Sequence, residues 1–95
     1  MAASQSTLQE HVTSVGTDEV LTRAKEFFSQ RNPLYAAFLE KEGPGYATFR
    51  GQGGEEIVIA ATPKDGVTLV TGSTYLFDMQ VARFFATLPA VIPVG

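Results

Sequence analysis

The sequence contains no cysteine and only one histidine, His11, among its 95 residues. The lack of cysteine excludes disulfides, thiolate nucleophiles and cysteine-ligated metal sites. A lone histidine has no second imidazole with which to hold a metal. It also lies in a weakly patterned segment, which would not hold a catalytic base rigidly. We therefore expect His11 to be an exposed polar residue, and we expect neither a metal nor a cofactor.

Positive charge and long apolar runs are also scarce. Seven basic residues are scattered among ten acidic ones, giving a net charge of −3. Nucleic-acid binding depends on basic side chains that neutralise phosphates, so no nucleic-acid partner is expected. The apolar runs are far shorter than the roughly 20 residues that span a bilayer, and residues 1–6 do not resemble a secretory signal. We expect a cytoplasmic protein without a transmembrane segment.

The composition is that of one ordinary globular domain, with 44% hydrophobic and 18% charged residues. We divide the chain into a polar N-terminal arm (1–16), a single α+β domain (17–89) and an apolar, extended C-terminal tail (90–95). In the arm, Leu8, Val12 and Val15 are spaced by four and three residues. This pattern predicts either a short helix or an arm that becomes ordered only against a partner.

Two segments have the apolar spacing of amphipathic helices. The first covers residues 18–30 and follows Thr17, a good N-cap. The second begins after Ser73 or Thr74 as its cap and ends before Pro89. Its apolar stripe consists of Phe77, Val81, Phe84 and Leu88.

Residues 46–50, 55–62 and 67–71 predict strands, joined by a glycine loop and by the turn 63–66, in which Pro63 would take the first central position. Residues 34–40 fit either a helix or a strand, and we favour a strand because a tight Gly-Pro-Gly connection follows. The predicted fold is a two-layer α+β sandwich. It has an antiparallel sheet of 3–4 strands, the element order α-β-β-β-β-α, and both helices on one face.

The strands carry apolar side chains on both faces of this sheet. Because alternate residues point to opposite faces, we expect one face to carry Ile57, Ile59, Val67 and Leu69. We expect the other face to carry Val58, Ala60 and Val70. Two helices can cover only one face, so the surplus predicts a second surface that something else buries.

No segment carries a catalytic signature. Glu55 and Glu56 are adjacent, so on a strand they face opposite sides and cannot form a catalytic pair. The glycines at 51–54 precede these carboxylates rather than the Lys-Ser/Thr of a phosphate-binding loop. Tyr46 and Phe49 are spaced so that a regular strand turns them to opposite faces, unlike the stacking aromatics of RNA-recognition domains. We expect no enzymatic activity.

Residues 51–89 resemble the closing part of helix-grip domains, the superfamily of START and Bet v 1-like ligand carriers. The resemblance lies in Glu56-Ile57-Val58-Ile59, in the stretch 65–72 and in the helical stretch 77–88. Helix-grip domains have more strands and a longer final helix. The resemblance implies an apolar pocket between the sheet and the C-terminal helix, and it transfers no catalytic residue.

Two functional hypotheses follow. The first is a non-enzymatic interaction or assembly domain whose partner is a second copy or a different subunit. Its expected partner-binding residues are Val58, Ala60, Val70, Val91, Ile92 and Val94. The second is a binding module for a small apolar ligand. Its expected pocket residues are Phe49, Phe77, Val81 and Phe84.

Deletion of residues 90–95 tests the contribution of the tail to the first hypothesis. We expect the deletion to weaken association while the domain stays folded, because an extended apolar tail can dock on a neighbour. Light scattering after size exclusion measures the association. Unchanged assembly after the deletion would count against a role for the tail.

Overall fold

The fold is an antiparallel sheet with two helices packed against one of its faces. The computed structural model describes residues 7–29, 37–51, 53–75 and 77–91. The elements are β1 (Thr7–Thr13), α1 (Thr17–Ser29), β2 (Ala37–Gly43), β3 (Tyr46–Gly51), β4 (Glu56–Lys64), β5 (Val67–Tyr75) and α2 (Asp78–Ala86). The strand order in the sheet is β1-β5-β4-β3-β2, and all neighbours are antiparallel. The predicted two-layer α+β class is therefore confirmed.

The sheet has five strands rather than 3–4, because residues of the expected arm form β1. This strand pairs with β5 from Thr7 opposite Thr74 to Thr13 opposite Thr68. The expectation of a partner-dependent arm or a short helix is wrong for these residues. Leu8 and Val12 are four residues apart, a spacing that puts two side chains on one face of a strand as well as on one side of a helix. The element order is β-α-β-β-β-β-α.

The helices agree with the predicted pattern except at the start of α2. The first helix covers Thr17–Ser29 and the second Asp78–Ala86. The second helix begins later than predicted because Ser73 and Thr74 belong to β5, where they pair with residues of β1 and β4. The Thr74 hydroxyl donates to the Glu56 carbonyl at 2.8 Å and accepts from the Phe77 N–H at 3.2 Å. Thr74 thus joins the end of the strand to the start of the helix.

Residues 34–40, whose sequence fits either a helix or a strand, form a strand from Ala37 onward, as favoured above. Residues 34–36 lie outside the described residues. This strand, β2, is one edge of the sheet. An irregularity between Leu39 and Lys41 inserts Glu40 as an extra residue opposite β3. Glu42 of the same strand accepts a hydrogen bond from Lys25 of α1 at 3.1 Å, so this edge is tied to the helical layer.

A two-residue turn, Asp65-Gly66, joins β4 to β5. Both residues have positive φ, 51° for Asp65 and 84° for Gly66, as a type I′ hairpin turn requires. Lys64 consequently pairs with Val67, and Pro63 is part of β4 rather than the first central position of a turn. The predicted four-residue turn is wrong, because Asp-Gly closes this hairpin two residues later.

This turn changes the predicted assignment of side chains to the two faces. Val70 lies opposite Ala61, on the face that also carries Ile57 and Ile59, and all four side chains are buried. Leu69 lies opposite Thr62, on the other face of the sheet, as does Val67 opposite Lys64. The assignment of Val70 to the face of Val58 and Ala60 is therefore wrong, and so is that of Val67 and Leu69 to the face of Ile57.

Both helices pack on the face that carries Ile57, as predicted. Helix α1 contacts β2, β3 and β4, and α2 contacts β1 and β5. Phenylalanines join the two helices to each other and to the sheet. The Phe84 ring of α2 lies 5.3 Å from that of Phe28 on α1, which in turn lies 5.3 Å from Phe49 on β3. Aromatic pairs at this spacing add to the free energy gained by burying the rings.

Gly72 of β5 allows α2 to approach the sheet closely. A Cβ atom at this position would lie 2.6 Å from Cγ1 of Val81 and 3.1 Å from Cζ of Phe85. Both side chains belong to α2 and are buried, and the β-branched Val81 has little rotamer freedom in a helix. A larger residue would therefore force the helix away from β5.

Gly72→Ala is expected to lower the free energy of unfolding by about 1–3 kcal/mol, the usual cost of overpacking a core. The matched control is Gly16→Ala, because a Cβ atom at Gly16 meets nothing within 4 Å. Urea unfolding followed by circular dichroism measures both variants. Equal stability of the two variants would contradict the close packing of α2 on β5.

Candidate interaction surface

The face of the sheet opposite the helices is the candidate site, and we call it the open face. Neither α1 nor α2 packs on it. The strand registers place at least one apolar side chain from each of the five strands on this face. These are Leu8 and Val12 on β1, Phe38 on β2, Tyr46 on β3, Val58 and Ala60 on β4, and Val67, Leu69 and Tyr75 on β5.

The side chains of the open face form rows across the strands. The central row runs from Glu10 through Thr71 and Ala60 to Tyr46. Its members on β5, β4 and β3 are uncharged, so the middle of the open face consists of apolar and hydroxyl-bearing side chains. On such a flat surface a partner can bury apolar area without first removing a charge from water.

Large apolar side chains are exposed at both edges of the open face. Leu8 on β1 is 66% exposed and Phe38 on β2 is 57% exposed. A buried apolar side chain of this size contributes about 1.5–3 kcal/mol relative to an exposed one. The open face therefore presents apolar groups that a partner could cover with a gain in free energy.

Charged side chains surround the uncharged middle of the open face, with Glu10 on β1, Lys41 on β2 and two more at the ends of β4. Glu56 and Lys64 are at the two ends of β4, and the same face of the strand carries Val58, Ala60 and Thr62 between them. One end of the central strand is thus acidic and the other basic. Arg50 of β3 lies opposite Glu56 on the same face, so the Glu56 end of the open face carries both signs of charge.

Arg50 binds several groups at the Glu56 end of the open face. Its Nε donates to Glu40 Oε2 at 2.8 Å and its Nη2 to Glu40 Oε1 at 3.1 Å, a two-pronged pair across β2 and β3. Its Nη1 donates to the Gly54 carbonyl at 3.2 Å, and Glu56 lies 3.5 Å from Nη2. The guanidinium therefore fixes the bulge of β2 and the loop before β4. Hydrogen bonding to Arg50 lowers the pKa of Glu40, and the same contact raises the pKa of Arg50.

Glu55, weighed above for catalysis, and Tyr46, weighed above for base stacking, both make contacts that support the local structure. Glu55 accepts a hydrogen bond from the Gly53 N–H at 3.0 Å, so its carboxylate holds the glycine loop. The ring of Tyr46 lies against Gly43, where a Cβ atom would be 2.5 Å from Cε1 of the ring. Covering a glycine with an aromatic ring across two strands stabilises their pairing.

His11 is not the exposed polar residue that we expected. It lies on the helix side of β1, partly buried, with Nε2 3.1 Å from the Leu88 carbonyl oxygen. Its ring stacks on Phe85 with 5.5 Å between centroids. His11 thus links β1 to α2 and to the chain that follows it. The local sequence gives no sign of this contact, because the two partners are 77 positions apart.

The predicted partner-binding residues do not lie on a single surface. Val58 and Ala60 are on the open face, whereas Val70 is completely buried beneath the helices. Val91 donates its backbone N–H to the Val12 carbonyl at 3.1 Å, and the preceding Ala90 pairs with Thr13. The tail therefore begins along the edge of β1. The remaining two predicted residues, Ile92 and Val94, lie outside the described residues.

Sequence reasoning missed Val67 and Leu69 on β5 as members of the open face. The signal that could have placed them is the dipeptide Asp65-Gly66, which favours a two-residue hairpin loop. That loop pairs Lys64 with Val67 and so fixes which residues of β5 share the face of Val58.

The predicted ligand-pocket residues belong to the core. Phe49, Val81 and Phe84 are completely buried, and Phe77 is partly buried against the same cluster. Phe49 packs against Phe28 of α1, and Val81 and Phe84 belong to the buried face of α2. A pocket of about 240 Å³ lies elsewhere, beside α1 and the end of α2. It is lined by Glu19, Arg23, Glu26, Phe27 and Thr87.

The described residues contain neither a metal-ligand cluster nor a helix that could span a membrane. Within these ranges, no group of three or more acidic, histidine or cysteine side chains could hold a metal ion. None of the described helices is long and apolar enough to cross a membrane.

No family model, curated protein or solved structure matches this chain.

The Arg50–Glu40 contact predicts how acid affects stability. The folded state lowers the pKa of Glu40, so the contribution of this pair is present above the pKa of the unfolded chain. It is lost as the pH falls through the lower, folded value. The pKa of Glu40, followed by NMR of its side-chain carboxyl carbon, is expected to rise in Arg50→Gln.

Arg50→Lys is the control, because it keeps the charge and loses the two-pronged geometry. Its effect on the Glu40 pKa is expected to be smaller than that of Arg50→Gln. If the Glu40 pKa were the same in the wild type and in Arg50→Gln, the assigned cause would be wrong.

Proposed function

We propose that this chain is a small non-enzymatic protein-interaction domain, which acts as a homo-oligomer or as an accessory subunit of a larger complex. The proposed binding surface is the open face. The observation that carries this proposal is the position of α1 and α2, which both pack on one face of the sheet, so that neither of the described helices covers the apolar middle of the other face. The cysteine-free composition supports a cytoplasmic location.

The character of the open face supports protein binding. Apolar patches of a few hundred Å² on a small protein commonly mark sites that a partner covers. The patch has an uncharged middle on β3, β4 and β5 with charges around it, as protein interfaces combine an apolar core with a polar rim. Glu55, one of the two carboxylates considered for catalysis, accepts a hydrogen bond from the Gly53 N–H of the glycine loop.

Leu69→Glu is expected to abolish association, because it places a charge in the apolar part of the open face. The matched control is Met79→Glu on α2, since Met79 is 66% exposed on the helical side. Association is measured as mass in solution by light scattering and as capture of proteins from a lysate of the source cells by the immobilised full chain. Circular dichroism checks that each variant is folded.

The proposal predicts that wild type and Met79→Glu associate equally, either with themselves or with a captured protein. Leu69→Glu would do neither. Undiminished association of a folded Leu69→Glu would contradict the assignment of the open face as the binding surface.

A further inference from the structure

We draw no further inference here: the strongest candidate, the open face of the sheet with its uncharged middle on β3, β4 and β5, identifies no particular partner, because nothing in the described part of the chain shows what covers it.

Discussion

The register between β4 and β5 is the constraint on which the rest of the structure depends. The turn Asp65-Gly66 fixes it by pairing Lys64 with Val67. A shift of one residue would move every side chain of β5 to the other face of the sheet. Val70 would leave the core, and Gly72 would no longer lie beneath α2. Both the packing of the helices and the character of the open face therefore follow from two turn residues.

The helical layer covers one face of this sheet and uses its aromatic side chains there. Helix α1 covers β2, β3 and β4, α2 covers β1 and β5, and phenylalanines join the two helices. All the aromatic residues of this cluster are used to hold the layers together. The hydrogen-bonding capacity of Arg50 and Glu55 is likewise used within the strands and loops. Among the described residues, the open face is the broad surface of the sheet on which neither helix packs.

The sequence predicts the parts of this fold that depend on local pattern. The stripe of Phe77, Val81 and Phe84 predicted α2, and the surplus of apolar residues on the strands predicted a second apolar surface. The role of residues 7–13 could not be read locally, because β1 is a strand only through its pairing with β5, some 60 positions away. Val70 was placed on the wrong face because Pro63 suggested a longer turn than the one that forms.

Thiol reactivity on two neighbouring residues of β5 tests the register most directly. The chain has no cysteine, so Leu69→Cys and Val70→Cys each introduce its only thiol, the first on the open face and the second in the core. In the folded protein, Leu69→Cys is expected to react with a thiol reagent at least about tenfold faster than Val70→Cys, whose thiol reacts only when the protein unfolds. Equal rates, or a faster reaction of Val70→Cys, would contradict the register that Asp65-Gly66 sets.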